Sequence, residues 1–384
     1  MNVSRLMLSL LLMSAFMETK AQMTVEVTNP SNEYREEVIE LPLEEVCKRL
    51  KTTCDSIRVL DRAGLDIPCQ WTHDGKLLIG AYVRKHGTNS YTLVKGATPQ
   101  FPDFCDGTIH PERKDDFAWE NDRGAYRVYG PALEATGERS FGIDVWTKNT
   151  PDPVVNDRYY IEDVVMMPKV DSLRRIDRHR GDSLYRINSY HHDHGRGLDP
   201  YKVGATLGCG APALLLGDSI VMPYCFERFE VCLRQSPRIV RGDTIVESRL
   251  IRLDKGSNFN RMEVWYDGIS SPVAFCSGVV IQKEDPEGVI LGKNYVAYTD
   301  PTDQPEVHHA PLYVAALFPY GEVATRKIGH HALGIVQNYQ GEHFTYYFGS
   351  AWSKYDVRTE EEWQARIGWF MRSLEAPLQV VMKN

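Results

Sequence analysis

The run FERFEVCLRQSPRIVRGDTIVESRLIRLDKGSNFNRMEVWYDGISSPVAFCSGVVIQK, residues 226–283, decides the fold class. It contains four β-type runs in succession, at 226–234, 243–253, 260–266 and 273–282. Turn-forming letters (SP, KGSN and DG) fall in the gaps between them. Short strands at roughly ten-residue spacing, with such turns between them, are typical of an all-β sandwich or barrel.

Alternating apolar and polar residues continue on both sides of this run. The further β-type runs lie at 23–27, 35–40, 77–83, 91–94, 295–298, 312–318, 332–337 and 343–348. Helical patterns are few: a short one at 43–50 and a clear one near the end, where Thr359 and Glu362 form a capping box. We therefore predict a mostly β fold of antiparallel sheets with a C-terminal helix, built as one domain over residues 22–384.

The N-terminus has the pattern of a secretory signal. Arg5 precedes a short apolar run at 6–16, and Ala21 offers a small residue for cleavage. The apolar run is about half as long as the roughly 20 residues that a membrane-spanning helix needs. Residues 1–21 are therefore interpreted as a signal peptide, and the mature protein is expected in the periplasm or outside the cell.

Bulk composition excludes one class of partner. Charged residues make up 25% of the chain and hydrophobic ones 42%, with a formal net charge of −8. No run of lysine and arginine appears, which argues against a nucleic-acid partner. The eight cysteines permit disulfides in an exported protein. Local bridges Cys47–Cys54 or Cys69–Cys105 are the expected pairings.

The segment SYHHDHGRGLDPYK, residues 189–202, concentrates side chains that can carry chemistry. The candidates within it are His191, His192, His194, Arg196, Tyr201 and Lys202. Two of the histidines together with Asp193 can ligate a divalent metal. Alternatively, a histidine or Tyr201 can act as general acid or base while Arg196 holds a substrate carboxylate. A solvated loop without function is the other interpretation.

A second cluster lies at residues 117–130, FAWENDRGAYRVYG. Read as one strand, it places Trp119, Asn121, Arg123 and Arg127 on one face, as a sugar-binding platform of stacking and polar groups requires. A ladder of cross-strand ion pairs explains the same pattern equally well. The pair His308 and His309, at a loop-to-strand junction, can complete a substrate site formed by the 189–202 segment.

The sequence resembles a family of secreted Bacteroidetes proteins classed as a domain of unknown function, often encoded among polysaccharide-degradation genes. The resemblance rests on 117–133, with its WENDR and AYRVYGPAL motifs, on 195–216 and on 226–283. It implies a galactose-mutarotase-like β-supersandwich with a sugar-binding concave face. Related folds host polysaccharide lyases, epimerases and non-catalytic parts of hydrolases, so the resemblance implies work on carbohydrate and assigns no role to any residue.

The sequence predicts an enzyme that acts on uronic-acid-containing oligosaccharide or polysaccharide. In a lyase, Arg196 or Arg127 would neutralise the substrate carboxylate, a histidine of 191–194 would abstract the α-proton, and Tyr201 would protonate the leaving oxygen. A hydrolase would instead need a pair of carboxylates, for which Glu120 with Asp122 or Asp193 are the candidates. A non-catalytic carbohydrate-binding protein and an aldose epimerase are the alternatives. No cofactor is required in these schemes, although a divalent metal fits the histidine cluster. The sequence does not determine the oligomeric state.

Overall fold

The structure, a computed structural model, describes residues 21–221, 226–229, 232–235, 238–305 and 310–383. It is 42% strand and 19% helix, with antiparallel sheets consistent with a β-sandwich. The prediction of a mostly β fold is therefore confirmed. Among the described residues, no helix has the length and apolar character needed to cross a membrane.

The described strands follow one another in short runs. They are β1 (Gln22–Thr28), β2 (Arg35–Pro42), β3 (Ile57–Leu60), β4 (Asp66–Ile67), β5 (Cys69–Trp71), β6 (Lys76–Val83), β7 (Thr88–Lys95), β8 (Asp106–His110), β9 (Asp116–Glu120), β10 (Ala125–Val128), β11 (Asp144–Trp146), β12 (Cys209–Leu216), β13 (Ser219–Val221), β14 (Phe226–Phe229), β15 (Cys232–Gln235), β16 (Arg238–Val240), β17 (Asp243–Arg252), β18 (Phe259–Asp267), β19 (Val273–Val280), β20 (Val289–Leu291), β21 (Tyr295–Asp300), β22 (Leu312–Leu317), β23 (Ala324–Ile328), β24 (His331–Tyr339), β25 (Phe344–Trp352) and β26 (Gln379–Lys383).

Helices occupy four parts of the described chain. They are α1 (Leu43–Leu50), α2 (Pro131–Glu134), α3 (Val155–Tyr159), a π-helix (Tyr160–Met166), α4 (Met167–Arg174), α5 (Arg178–Asn188) and α6 (Glu360–Glu375), with single 3-10 turns at Cys54–Ser56 and Pro111–Arg113. The sequence predicted α1 and α6 but not the helical stretch from α3 to α5. That stretch is rich in Arg, Asp and Tyr and lacks a continuous apolar stripe, so periodicity gives little signal there.

The chain divides into two compact units. The first comprises Met1–Phe101 with Leu378–Asn384, and its described part contains a five-stranded sheet (order β26-β1-β7-β3-β4) and a three-stranded sheet (β2-β6-β5). Val25, Ile79 and Leu93 belong to the hydrophobic core of this unit. The single domain expected over 22–384 stays a prediction, and the sequence did not anticipate a division into two units with separate cores.

The second unit, Pro102–Pro377, contains the face-to-face packing of a sandwich. A long sheet ordered β14-β15-β17-β18-β25-β22-β21-β20 shares one hydrophobic core with a five-stranded sheet ordered β13-β12-β19-β24-β23. Met262 and Phe348 contribute to this core from the long sheet, and Phe275 and Leu333 contribute from the five-stranded sheet. Alternating residues on each strand therefore meet between the two sheets.

Helix α6 covers the other face of the long sheet. The Thr359 side chain accepts a hydrogen bond from the Glu362 backbone N–H, which confirms the predicted capping box. Trp363 and Ile367 pack with Phe259 and Tyr313 in a separate hydrophobic cluster. The spacing of apolar residues at every third or fourth position thus predicted both the helix and the face that it buries.

A smaller four-stranded sheet, ordered β11-β10-β9-β8, carries the side chains of interest. One face contributes Trp119, Tyr126 and Val128 to the shared core. The opposite face packs against α3 and the residue that follows α5, since Trp146, Tyr159 and Tyr190 form a separate cluster there. This sheet therefore presents its second face to a helical layer.

Six cysteines have described side chains, and these six are free thiols. They are Cys47, Cys54, Cys69, Cys105, Cys209 and Cys276. The predicted bridges Cys47–Cys54 and Cys69–Cys105 are therefore not formed in this structure.

Candidate active site

The segment 117–130 folds as a hairpin and not as the single strand expected from its sequence. Strands β9 and β10 are antiparallel, with Trp119 opposite Tyr126 and Ala118 opposite Arg127. Asn121 makes the turn, because its side-chain oxygen accepts hydrogen bonds from the N–H groups of Arg123 and Gly124 at 2.9 and 3.1 Å. Directly opposed residues share a face, so Trp119 and Arg127 point to opposite sides of the sheet.

The registers of the neighbouring strands extend the face that carries Arg127. Asp144 of β11 lies opposite Arg127, and His110 of β8 lies opposite Asp116 of β9. Strand alternation therefore collects polar side chains on one side of the sheet. Those side chains are His110, Asp116, Glu120, Arg127 and Asp144. All five are buried.

Arg127 is the centre of a charged group that we name the Asp-Arg cluster, made of Asp116, Arg127, Asp144 and Asp199. One terminal nitrogen of Arg127 donates to the carboxylates of Asp144 and Asp199, the latter at 2.9 Å. The other terminal nitrogen lies 4.0 Å from a carboxylate oxygen of Asp116. Arg127 is only 5% exposed. Three carboxylates thus surround one buried guanidinium, and the charges do not balance if all three are ionised.

Two of the buried carboxyl groups, those of Asp116 and Asp199, have raised pKa values. Burial raises the pKa of Asp116 from an ordinary value of 3.8 to about 6, although Arg127 acts in the opposite direction. Burial, followed by the negative charge of Asp144, raises the pKa of Asp199 to about 7. Two aspartates on one guanidinium therefore release their protons at different pH values, both close to neutrality.

Aromatic side chains enclose the cluster. Tyr129 and Tyr159 accept hydrogen bonds from Arg127 at 3.0 and 3.2 Å. The ring of Trp146 stacks on that of Tyr190, with centroids 4.8 Å apart. Burial raises the pKa of Tyr159 to about 12, so this phenol stays protonated and acts as a hydrogen-bond donor and acceptor. The environment is thus a dry aromatic shell around ionisable groups.

A second arginine, in the 3-10 turn between β8 and β9, connects this shell to the helical layer. Arg113 donates to the Tyr190 hydroxyl at 2.7 Å and pairs with Asp163 at 2.7 Å. Its guanidinium also lies 4.2 Å from the centroid of the Tyr159 ring. Asp163 belongs to the π-helix, and single π-helical turns are frequent at functional sites.

Several buried polar atoms in and around the cluster have no hydrogen-bond partner among the described residues, and two of them are on strands β8 and β9. These two are the Oδ1 oxygen of Asp116 and the Nε2 nitrogen of His110. Asp116 and His110 lie opposite each other on neighbouring strands. A buried acceptor and a buried ring nitrogen without protein partners are suited to hold a substrate hydroxyl or a reacting water.

The similarity to known proteins was established by sequence and by fold. The sequence model of a family described as Domain of unknown function (DUF4861) matches residues 27–380. The chain belongs to this family. The resemblance predicted from the sequence is therefore confirmed. A relative of this DUF4861 protein is Uncharacterized protein P7 from Formosa agariphila, which is 27% identical over 334 residues, covering 79% of this chain and 77% of that protein.

Two solved structures align with most of this chain at low sequence identity. One is an alpha-mannosidase from Enterococcus faecalis V583, with a TM-score of 0.43 and 9% identity over 95% of this chain and 46% of that chain. The other is a protein in the Glycosyl Hydrolase Family 38 from Enterococcus faecalis, with a TM-score of 0.38 and 9% identity over 95% of this chain and 48% of that chain. The DUF4861 chain thus spans about half the length of each.

Among the residues predicted from the sequence, His191 lies beside the cluster. Its Nδ1 atom is 2.8 Å from the backbone oxygen of Asp199 and 3.9 Å from the Asp199 carboxylate. The His191 side chain is 41% exposed, whereas Asp199 is almost completely buried. His191 therefore stands between solvent and one carboxylate of the cluster.

The remaining side chains of the 189–202 segment do not converge on one point. His194 bonds the backbone oxygen of Ser189 at 3.0 Å, and Asp193 accepts hydrogen bonds from loop amides. Arg196 pairs with Asp157 at 3.0 Å. Across the described residues, no group of three or more His, Cys, Asp or Glu side chains is arranged to hold a metal ion. The metal site predicted from these histidines does not assemble.

Three other described candidates, Tyr201, His192 and Lys202, do not join the cluster as expected. Tyr201 is buried in the shared core, where burial raises its pKa well above the ordinary value, so it is not placed to protonate a leaving group. His192 is half-buried, and Lys202 is exposed. His308 and His309 lie outside the described residues.

The expected sugar platform is also corrected. The indole N–H of Trp119 donates to Asn260 at 2.7 Å, inside the core. Asn121 donates to the backbone oxygens of Asp254 and Ser257, and Arg123 pairs with Asp356 at 2.6 Å. These three side chains fix a turn and a core contact and form no stacking surface. Arg127 alone of the four reaches the candidate site.

The carboxylates expected for a hydrolase have structural partners. Glu120 pairs with the buried Lys148 at 2.7 Å and accepts hydrogen bonds from backbone N–H groups at the start of α3. Asp122 accepts a hydrogen bond from the Gly256 N–H at 2.7 Å. Glu120 and Asp122 therefore make structural contacts, and a catalytic role for them stays a prediction. Asp116, Asp144 and Asp199 are far apart in the chain, and only the strand pairing brings them together.

Proposed function

We propose that this DUF4861 protein is a glycoside hydrolase that acts on oligosaccharide or polysaccharide, with Asp199 as general acid and Asp116 as general base. The observation that carries the proposal is the difference in proton affinity within one cluster: the pKa of Asp116 is raised to about 6 and that of Asp199 to about 7. Pairs of carboxyl groups whose environments separate their pKa values are typical of acid–base catalysis.

Hydrolysis of a glycosidic bond uses two carboxyl groups in different protonation states. The protonated one donates a proton to the leaving oxygen, and the ionised one activates water or attacks the sugar. Asp199, with the higher pKa, is the carboxyl that keeps its proton longer as the pH rises, and Asp116, with the lower pKa, ionises first. The free Oδ1 atom of Asp116 is then available to accept the proton of a water molecule.

The neighbouring side chains have positioning roles in this proposal. Arg127 bonds Asp199 and Asp144 through one nitrogen and so fixes the carboxylate that donates the proton. Asp144 also accepts a hydrogen bond from Tyr129 at 3.0 Å and from the Val145 N–H at 2.8 Å, which leaves it little freedom to react. The buried rings of Trp146 and Tyr190 stack on each other beside Arg127 and so hold the cluster in place.

A carbohydrate substrate is supported by the family resemblance, because that family is often encoded among polysaccharide-degradation genes. The signal-like N-terminus supports action outside the cytoplasm. Both remain parts of this proposal, as does the choice of a polymeric or oligomeric substrate.

Hydrolysis fits the described side chains better than the elimination scheme considered from sequence. That scheme needs an arginine that is available to neutralise a substrate carboxylate. Arg127 is surrounded by three aspartates, and Arg196 pairs with Asp157. The proposed proton donor, Tyr201, lies in the shared core. The groups needed for elimination therefore do not lie together.

The test incubates the mature protein with a panel of neutral and uronate-containing oligosaccharides, and it follows both new reducing ends by mass and unsaturated products by absorbance. Hydrolysis predicts cleavage without unsaturation and a bell-shaped pH–rate profile with limbs near 6 and 7. An unsaturated product would contradict the proposal in favour of a lyase. Anomer exchange without cleavage would indicate an epimerase, and binding without turnover would indicate a non-catalytic module.

A further inference from the structure

A concave site lies in the second unit, on residues that the proposed catalytic cluster does not use. It is a groove of about 700 Å³. We name it the basic groove and define it by the side chains of Thr206, Asp218, Lys283, Arg326, Lys327, His330 and His331. Its volume is within the usual range of ligand pockets, about 300–1,000 Å³.

The groove lies where the two edges of the five-stranded sheet approach each other. Strands β13 and β23 are the outermost strands of that sheet. Asp218, in the turn before β13, pairs with Arg326 of β23 at 3.1 Å. The sheet is therefore curled so that opposite edges meet, and the lining comes from both edges and from the turn between β23 and β24.

The groove is positively charged, in contrast to the whole chain. Lys283, Arg326 and Lys327 face a single lining carboxylate, that of Asp218, whereas the formal net charge of the protein is −8. The Asp218–Arg326 pair is exposed on both sides, and the Lys283 ammonium has no hydrogen-bond or ion-pair partner among the described residues. Local charge in a cleft, and not net charge, decides which ligands it attracts.

The two histidines of the groove differ in environment. His331 accepts a hydrogen bond at Nε2 from the Leu207 backbone N–H at 3.2 Å, so its second ring nitrogen carries the proton. Burial, followed by the nearby His330, lowers the pKa of His331 to about 4, which makes it a neutral ring at physiological pH. His330 has no hydrogen-bond partner for its ring among the described residues. The groove thus combines cations with one neutral ring donor, His331.

We infer that the basic groove binds an anionic oligosaccharide, whose carboxylate or sulfate groups pair with Lys283, Arg326 and Lys327. Three cationic side chains that line one groove fit a ligand with repeated anionic groups better than a single small ion. The identification of the ligand as a saccharide rests on the proposed function, whereas the anionic character rests on the groove alone. Electrostatic pairs at this exposed surface weaken as salt increases.

The test measures binding of three probes to the full mature chain by calorimetry. The probes are a tetrasaccharide of galacturonate, a neutral tetrasaccharide of the same length and inorganic phosphate. Each of Lys283→Ala, Arg326→Ala and Lys327→Ala is expected to weaken binding of the galacturonate probe about fivefold, and the triple variant about a hundredfold. Asp218→Asn removes the lining carboxylate and is expected to tighten binding. Lys85→Ala, at an exposed lysine of the first unit, is the matched control and leaves the affinity unchanged.

The outcomes separate this inference from the proposed function. Unchanged affinity in the triple variant, or equal affinity for the neutral tetrasaccharide, would overturn the inference while leaving hydrolysis intact. Phosphate that binds as tightly as the galacturonate probe would identify a site for a free anion and would also overturn it. Asp199→Asn should keep the groove affinity. A wild-type protein that binds through the groove and cleaves nothing would support the inference and contradict the hydrolase.

Discussion

The two faces of the four-stranded sheet differ in almost every physical respect. Trp119 and Tyr126 stack on one face with centroids 5.7 Å apart and join the shared hydrophobic core. Asp116 and Arg127 occupy the other face, among buried charges that are not balanced. The same two strands thus supply stability on one side and ionisable groups on the other. The comparison indicates that period-two alternation alone separates the two tasks.

Burial of the charged side chains on the polar face destabilises the folded protein. Removing an ion from water has an effective penalty of several kcal/mol in proteins, and hydrophobic replacements of buried ion pairs often stabilise. Asp116, Asp144 and Asp199 share one guanidinium, so part of that penalty is not recovered. A buried network that stability does not favour is therefore a reasonable location for catalysis.

The largest effect is expected at the proposed proton donor. Asp199→Asn keeps the size of the side chain and removes its acid, so the turnover number should fall by about 10²- to 10⁴-fold, the usual contribution of general acid catalysis. Asp157→Asn, at an exposed aspartate, is the matched control and should retain full activity. Steady-state kinetics with circular dichroism of the folded state provides the measurement. A variant that is folded and fully active would remove Asp199 from the mechanism.

The core face should show the opposite pattern. Trp119→Ala deletes a buried indole and its hydrogen bond to Asn260, so the free energy of unfolding should fall by about 3–5 kcal/mol. At temperatures where the variant is still folded, substrate affinity should not change. Urea unfolding and binding assays on the same sample test both statements. Lost affinity with unchanged stability would restore the sugar platform that the sequence suggested.

The pH dependence of stability sharpens the comparison further. The pKa of Asp116 is raised in the folded protein to about 6, so the folded state retains a proton that the unfolded chain releases near pH 4. Stability therefore falls as the pH rises from about 4 to about 6, by about 3 kcal/mol at about 1.4 kcal/mol per pKa unit.

Asp116→Asn removes this titration and isolates it from other carboxylates. The difference in unfolding free energy between the wild type and the variant should decline over that pH window and stay constant above it. Urea titrations at pH 4, 5, 6 and 8 provide the measurement. A difference that is independent of pH would mean that Asp116 has an ordinary proton affinity.

Strand positions were predictable from the sequence, but the site was not. The runs at 243–253 and 260–266 correspond to β17 and β18 because alternation is a local signal. The hairpin at 121–124 was missed although its Asn-Asp-Arg-Gly letters are typical of a turn. Asp116, Asp144 and Asp199 meet only through strand pairing and a returning loop, and no local pattern encodes that convergence.

The smallest effect is expected at Arg196, which the sequence ranked beside Arg127 as a ligand for a substrate carboxylate. Arg196 is 40% exposed, and its partner Asp157 is 64% exposed. Exposed pairs contribute about 0–1 kcal/mol, so Arg196→Ala should change stability by less than about 1 kcal/mol and leave kcat/KM unchanged.

Arg127→Met, in contrast, leaves buried carboxylates without their cationic partner and should destabilise the protein by about 3–5 kcal/mol. Kinetics and urea unfolding of both variants test the difference between the exposed guanidinium of Arg196 and the buried guanidinium of Arg127. A large loss of kcat/KM in Arg196→Ala would mean that substrate is bound at the exposed loop and that the catalytic groups lie there, outside the polar face of the sheet.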